Sequence, residues 1–90
     1  MRSRVQKSDI FKALGHPVRL RIVEGLLKKN ECNVNRMVRE LGLPQSTVSQ
    51  HLGILKNQGI LQVRKEGVKI CYRVADPRIR ALLSALENQP

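Results

Sequence analysis

Between residues 41 and 61 the chain reads LGLPQSTVSQHLGILKNQGIL, and within it Gln45, Ser46, Thr47, Ser49 and Gln50 gather hydroxyl and amide groups into a short span. Such side chains fill a core poorly. A solvated helix face ordinarily carries Lys and Glu instead, and these are scarce between Pro44 and Leu55. A Gln amide can make paired hydrogen bonds to the edge of adenine, and a Ser or Thr hydroxyl can bond a base edge or a phosphate. The chemistry on offer is therefore recognition of a nucleic acid, with Lys56, Arg64, Lys65 and Lys69 downstream as cations for phosphates. For any single one of these cations the plain alternative is solvation. Bond-making chemistry has no comparable set. The chain shows no nucleophile with a base and an orienting group, no spaced carboxylate pair and no phosphate-cradling glycine loop, so neither an enzyme nor a cofactor is expected.

Recognition needs a helix to display these groups. Val48, Leu52 and Leu55 recur at helical spacing, which predicts a fourth helix starting at or just after Pro44 and closed by Gly59. With those three turned inward, Gln45, Ser46, Ser49, Gln50 and Gly53 lie on the opposite side. The preceding helix is capped by Asn33, turns Val34, Met37, Val38 and Leu41 inward, and stops at Gly42. A short glycine-containing turn between two such helices is the spacing of a helix-turn-helix, whose second helix enters the major groove.

Upstream, Met1 to Lys7 is polar and is expected to fray; Ser8 reads as the N-cap of a first helix that presents Ile10, Phe11 and Leu14 and ends at Gly15. Pro17 opens a second helix with Leu20, Val23 and Leu27 as its stripe, widened by Ile22 and Leu26, and Asn30-Glu31 break its pattern. Beyond Gly59 the period changes to alternation. Leu61 and Val63, then Val68, Ile70, Tyr72 and Val74, predict two half-buried strands with Lys65-Glu66-Gly67 as the hairpin turn. Asp76-Pro77 opens a terminal helix carrying Ile79, Leu82, Leu83 and Leu86. The fold class is mainly α with a small β-hairpin, about five helices in the order α-α-α-α-β-β-α: a winged helix-turn-helix filling residues 1–90.

Composition agrees with a binding module. Ninety residues make one domain, and with no Trp, one Phe and one Tyr its core must be aliphatic, which favours a partner surface and hence a homodimer. Seventeen Lys and Arg against seven Asp and Glu give a net charge of +10, which attracts polyanions. That charge suits an RNA-binding protein equally well, but the aromatic platform on which single-stranded bases stack is missing. Nothing resembles a leader or a membrane span, so a cytoplasmic, nucleoid-associated bacterial protein is expected.

The sequence resembles the ArsR/SmtB family of bacterial repressors. The motifs are ALGHPVRLRIV at 13–23, LGLPQSTVSQHLGILKNQGIL at 41–61 and VRKEGVKICYRVAD at 63–76, in the family's order and spacing over nearly the whole chain. LPQSTVSQHL is especially similar to family members that lack a metal site. The resemblance implies a winged-helix dimer whose first and last helices, residues 8–15 and 76–87, form the interface through Ile10, Phe11, Leu14, Ile79, Leu82, Leu83 and Leu86. It further implies two recognition helices on an inverted repeat, with Gln45, Ser46, Thr47, Ser49 and Gln50 contacting bases and phosphates, and repression by covering a promoter.

Metal sensing is the family's best-known activity, yet its ligand positions are altered. Where one sensing motif reads E-L-C-V-C-D-L, this chain has Glu31-Cys32-Asn33-Val34-Asn35-Arg36-Met37, with asparagine at both cysteine positions. The other site uses Asp and His on the last helix; Asp76 survives, with no histidine beyond it. No metal site is expected on this count, since three or four soft or imidazole ligands are needed. His16 reads as structural, and His51 either touches DNA or packs at the helix flank. Cys32 and Cys71 read as two independent buried cysteines. The competing reading sets Glu31 to Asn33 as a short strand beside the strand of Cys71, with a disulfide acting as a redox or sulfide switch. Family members with such switches pair cysteines on the second and last helices, and position 24 here is Glu.

Overall fold

The computed structural model describes residues 5–29 and 32–88. Along the chain run α1 (Lys7–Leu14), α2 (Pro17–Lys28), α3 (Val34–Leu41), α4 (Gln45–Asn57), β1 (Leu61–Glu66), β2 (Lys69–Val74) and α5 (Pro77–Glu87). This is the expected winged helix-turn-helix order.

The helix boundaries follow from side chains close in sequence. His16 caps α2, its Nδ1 accepting from the Val18 amide at 3.1 Å, with Pro17 in the first turn. Asn33 caps α3 by accepting from the Arg36 amide, and Gly42 ends that helix at φ 68°, a left-handed value that any side chain would resist. Asp76 caps α5, accepting from the Arg78 amide at 2.9 Å. At α1 the expectation needs correction. The helix begins at Lys7 with Gln6 as its extended N-cap residue, so Ser8 lies inside the first turn and Lys7 is helical, while residues 1–4 of the stretch expected to fray lie outside the described residues. Arg78 donates to the Val5 carbonyl at 2.7 Å, which pins the chain immediately ahead of this helix. Asn30 and Glu31, expected to break the second helix, lie outside the described residues.

The core is aliphatic and centred on α2, which packs against α1, α4 and β2. Ile22, Val23 and Leu26 are its buried residues, so the stripe lies to one side of the expected Leu20, Val23, Leu27 line; Leu20 and Leu27 are half-buried at its edges. Val48, Leu52 and Leu55 of α4 are 0–2% exposed. Fully burying each contributes about 1.5–3 kcal/mol, so rotating α4 to hide its polar side would forfeit roughly 5 kcal/mol or more. This core holds α4's orientation against α3.

β1 and β2 pair antiparallel, Leu61 opposite Val74 and Val63 opposite Tyr72. The turn falls at Gly67-Val68, two residues between the Glu66–Lys69 pair, and not at Lys65-Glu66-Gly67. Gly67 has φ 63°, and two-residue hairpin loops of this kind place glycine at the first central position because a positive φ is needed there. The expected half-burial of Val68 and Ile70 does not occur: Val68 is 100% exposed and Ile70 40%, because burial falls away along the hairpin toward its tip. No third strand is present among the described residues; Cys32 and Asn33 are irregular, and Glu31 lies outside those residues.

Candidate nucleic-acid interface

With its apolar residues buried, α4 exposes Gln45, Ser46, Ser49 and Gln50, while Thr47 is half-buried. The exposed set is short and uncharged. No side chain caps α4, in contrast to α2, α3 and α5. Its N-terminal residue Pro44 is extended, and the intrahelical bonds begin with the Thr47 and Val48 amides donating to the Pro44 carbonyl. The first amides of the helix, with its dipole behind them, are thus directed outward where an anion can meet them. Lys56 is exposed in the last turn, about 16 Å along the axis from Gln45.

His51 does not share this outward role. Half-buried, it approaches the Arg19 guanidinium at 3.4 Å from Nδ1, and its ring centroid lies 4.5 Å from that of His16. Burial, then the neighbouring His16, then Arg19 hold its pKa below the ordinary histidine value. Packing at the helix flank is what the structure shows for His51. Arg19 is in turn held by the Ala13 carbonyl at 2.7 Å and the Lys12 carbonyl at 3.3 Å, so it ties α1, α2 and α4 together. Sequence reasoning did not single out Arg19, because nothing in its local pattern marks a partner on another helix.

On the wing, Lys65 and Lys69 are exposed near the tip. Arg64 is exposed but engaged, its guanidinium 2.7 Å from the Glu66 carboxylate. Arg73, across from Gln62 at the wing base, donates to that amide oxygen. The cations expected to meet phosphate thus divide into Lys65 and Lys69, exposed near the tip, and Arg64, already paired within the wing.

Cys32 and Cys71 are joined in a disulfide, so the expectation of two independent cysteines is corrected. The bond links the residue just ahead of the α3 cap to the middle of β2, across 39 residues of sequence. Cys71 sits on the strand face opposite Tyr72 and Val74, which is why alternation alone gave no sign of its 4% exposure. Glu66 also faces this bond, a neighbour that no sequence pattern marked.

Of the seven apolar residues expected at a dimer interface, Ile10, Leu14, Ile79 and Leu83 are already buried in the chain's own core. A second copy has Phe11 (61% exposed), Leu86 (65%) and the half-buried Leu82 to meet. Phe11 and Leu82 line a shallow apolar depression between α1 and α5, with Ile10, Ala81 and the stems of Lys7 and Arg78 around it. No helix among the described residues is long and apolar enough to cross a membrane.

Comparison with known proteins gives this geometry its class. The family model for bacterial regulatory proteins of the arsR family matches residues 16–63, from the α2 cap through the helix-turn-helix into β1. The HTH-type transcriptional regulator MJ1325 of Methanocaldococcus jannaschii is 38% identical over 81 residues, covering 90% of this chain and 91% of its own. The transcriptional repressor PagR of Bacillus anthracis is 35% identical over 88% of this chain and 79% of its own. The PagR crystal structure aligns with a TM-score of 0.79, covering 88% of this chain and 90% of that one, at 36% identity. The transcriptional repressor BigR of Xylella fastidiosa aligns at 0.80, covering 88% and 80%, at 34% identity. The chain belongs to the ArsR family and is a DNA-binding transcription regulator of the winged helix-turn-helix class.

Proposed function

We propose that the protein is a homodimeric repressor that binds an inverted-repeat operator, each copy setting the N-terminal half of α4 into a major groove and its wing against the flanking backbone. The observation that carries this reading is the outward face of α4: Gln45, Ser46, Ser49 and Gln50 are exposed because Val48, Leu52 and Leu55 are not. Repression is supported by the relatives named as repressors, PagR and BigR. Dimerisation is supported by the apolar residues Phe11, Leu82 and Leu86 that α1 and α5 leave uncovered. A cytoplasmic, nucleoid-associated location goes with this function.

Selection from a randomised duplex pool, followed by competition between the selected duplex and RNA at fixed salt, tests it. The selected sequences should contain inverted half-sites about one helical turn, roughly 10 base pairs, apart. Equal affinity for RNA would instead favour a basic RNA-binding protein.

The disulfide favours a second reading within the same function, a redox- or sulfide-responsive repressor. Cys32 adjoins the first helix of the DNA-binding pair and Cys71 lies in the wing, so the bond joins the two elements that address DNA. Operator affinity should then differ between oxidised and reduced protein, and that difference should vanish in Cys71→Ser. An unchanged affinity on reduction would leave the bond purely structural.

A further inference from the structure

We propose that Cys32, Cys71 and Glu66, once the disulfide is reduced, form a binding site for a thiophilic divalent cation of the zinc type. One donor atom from each of the three residues lies within 4.8 Å of the others. They converge from separate places: the residue preceding the α3 cap, the middle of β2 and the end of β1. Arg64 stands opposite Cys71 in the sheet and Glu66 opposite Lys69, which sets Glu66 diagonally beside Cys71 on one face of the wing.

The carboxylate is oriented. Arg64 holds Glu66 Oε2 at 2.7 Å, while Oε1 lies 3.9 Å from Cys71 Sγ. A disulfide sulfur has no proton to donate, so the oxidised state gives this approach no hydrogen bond. Reduction supplies its purpose. Two thiolates at about 2.3 Å and a carboxylate oxygen at about 2.0–2.2 Å around a tetrahedral ion stand roughly 3.5–3.8 Å from one another. Glu66 Oε1 is already near that distance from Cys71 Sγ, and the two sulfurs, bonded to each other in the oxidised chain, need only separate to it once the bond is broken. The Arg64 contact is the outer hydrogen bond that ligating carboxylates characteristically carry. Two sulfur donors select zinc, cadmium or cobalt over magnesium or calcium. Glu66 is exposed, which leaves the fourth position open to water.

The chemistry balances in two steps. A dithiol reductant passes two electrons and two protons to the Cys32–Cys71 bond, which breaks to two thiols while the reductant closes to its own disulfide. The cation then displaces the two thiol protons to solvent and binds the thiolates together with the Glu66 carboxylate. Oxidation and metal capture use the same sulfur atoms and exclude each other, so either one ties the start of α3 to the wing. Any effect of this tie on DNA rests on the operator-binding reading above; the site itself does not.

Titration of the reduced chain with cobalt(II), followed by displacement with zinc, tests the site without DNA. The expected result is one cobalt per chain, with thiolate charge-transfer absorption in the near ultraviolet and the visible bands of tetrahedral cobalt. Cys32→Ser and Cys71→Ser should abolish the charge-transfer signal, and the oxidised chain should show none. Glu66→Gln, at an exposed position that leaves the core intact, should weaken binding at least as much as loss of an outer hydrogen-bond partner does, about tenfold or more. The proposal is overturned by absence of the charge-transfer band in the reduced chain, or by its persistence in both serine variants. Unchanged affinity in Glu66→Gln, or one cation shared between two chains, overturns it equally. Failure here leaves the selected-DNA result untouched, so the two readings fail separately.

Discussion

At the scale of single residues, the polar side chains of α4 divide by exposure. Gln45 and Ser49 face outward and Lys65 is exposed on the wing; under the proposed function the first two distinguish bases, and the third offers a charge that any phosphate satisfies. Gln45→Ala should weaken binding to the selected operator by about 1–3 kcal/mol while leaving nonspecific affinity nearly intact. Lys65→Ala should weaken binding to all duplexes and lower the slope of log affinity against log salt by about one. Titrations at several salt concentrations separate the two, and identical behaviour would contradict the division of roles. His51 bears on stability. Its pKa is lowered in the folded chain by burial and by the adjacent His16 and Arg19, so the unfolded chain binds the proton more readily. The contribution of neutral His51 is complete above its ordinary value of 6.5 and is lost as pH falls through the lowered folded value. Urea midpoints should therefore drop more between pH 7.5 and 5.5 in the natural protein than in His51→Gln.

At the scale of elements, α3, α4 and the wing are held by two different means. Buried aliphatic contacts fix α4, and residues 60 and 61 join that core, but burial fades toward the wing tip. The disulfide closes a loop of 39 residues between the start of α3 and β2. A cross-link of that span stabilises by about 2–4 kcal/mol through the restricted unfolded chain. Reduction should accordingly lower the denaturation midpoint, Cys71→Ser should mimic the reduced protein, and adding reductant to the variant should change nothing further. A reduced chain as stable as the oxidised one would show that the bond restrains little.

At the scale of the whole molecule, the +10 charge and the two terminal helices bear on assembly. The core takes up Ile10, Leu14, Ile79 and Leu83, and leaves Phe11 and Leu86 more than half exposed. Phe11→Glu places a charge on that surface without opening a core cavity, so the folded chain should keep its stability to within about 0.5 kcal/mol. Sedimentation equilibrium should show a dimer for the natural chain and a monomer for the variant, and operator affinity should fall with it. A variant that remains dimeric would place the interface elsewhere.

The elements and the polar face of α4 were legible in the sequence because they rest on local rules. Asn33 and Asp76 mark helix starts within a few residues of the bonds they make, Pro17 marks one by its place in the first turn, and Val48, Leu52 and Leu55 set by period alone which side of α4 turns outward. The hairpin turn starts two residues and ends one residue beyond the expected Lys65-Glu66-Gly67, because Gly67 offers its positive φ to more than one loop length. Tertiary structure decided what no period encodes: the Cys32–Cys71 bond with Glu66 beside it, the diversion of His51 to Arg19 and His16, and the division of the terminal apolar residues between core and surface. Each of these depends on side chains far apart in sequence meeting across packed elements. Such meetings are set by how the helices and the wing dock, which local spacing along the chain does not specify.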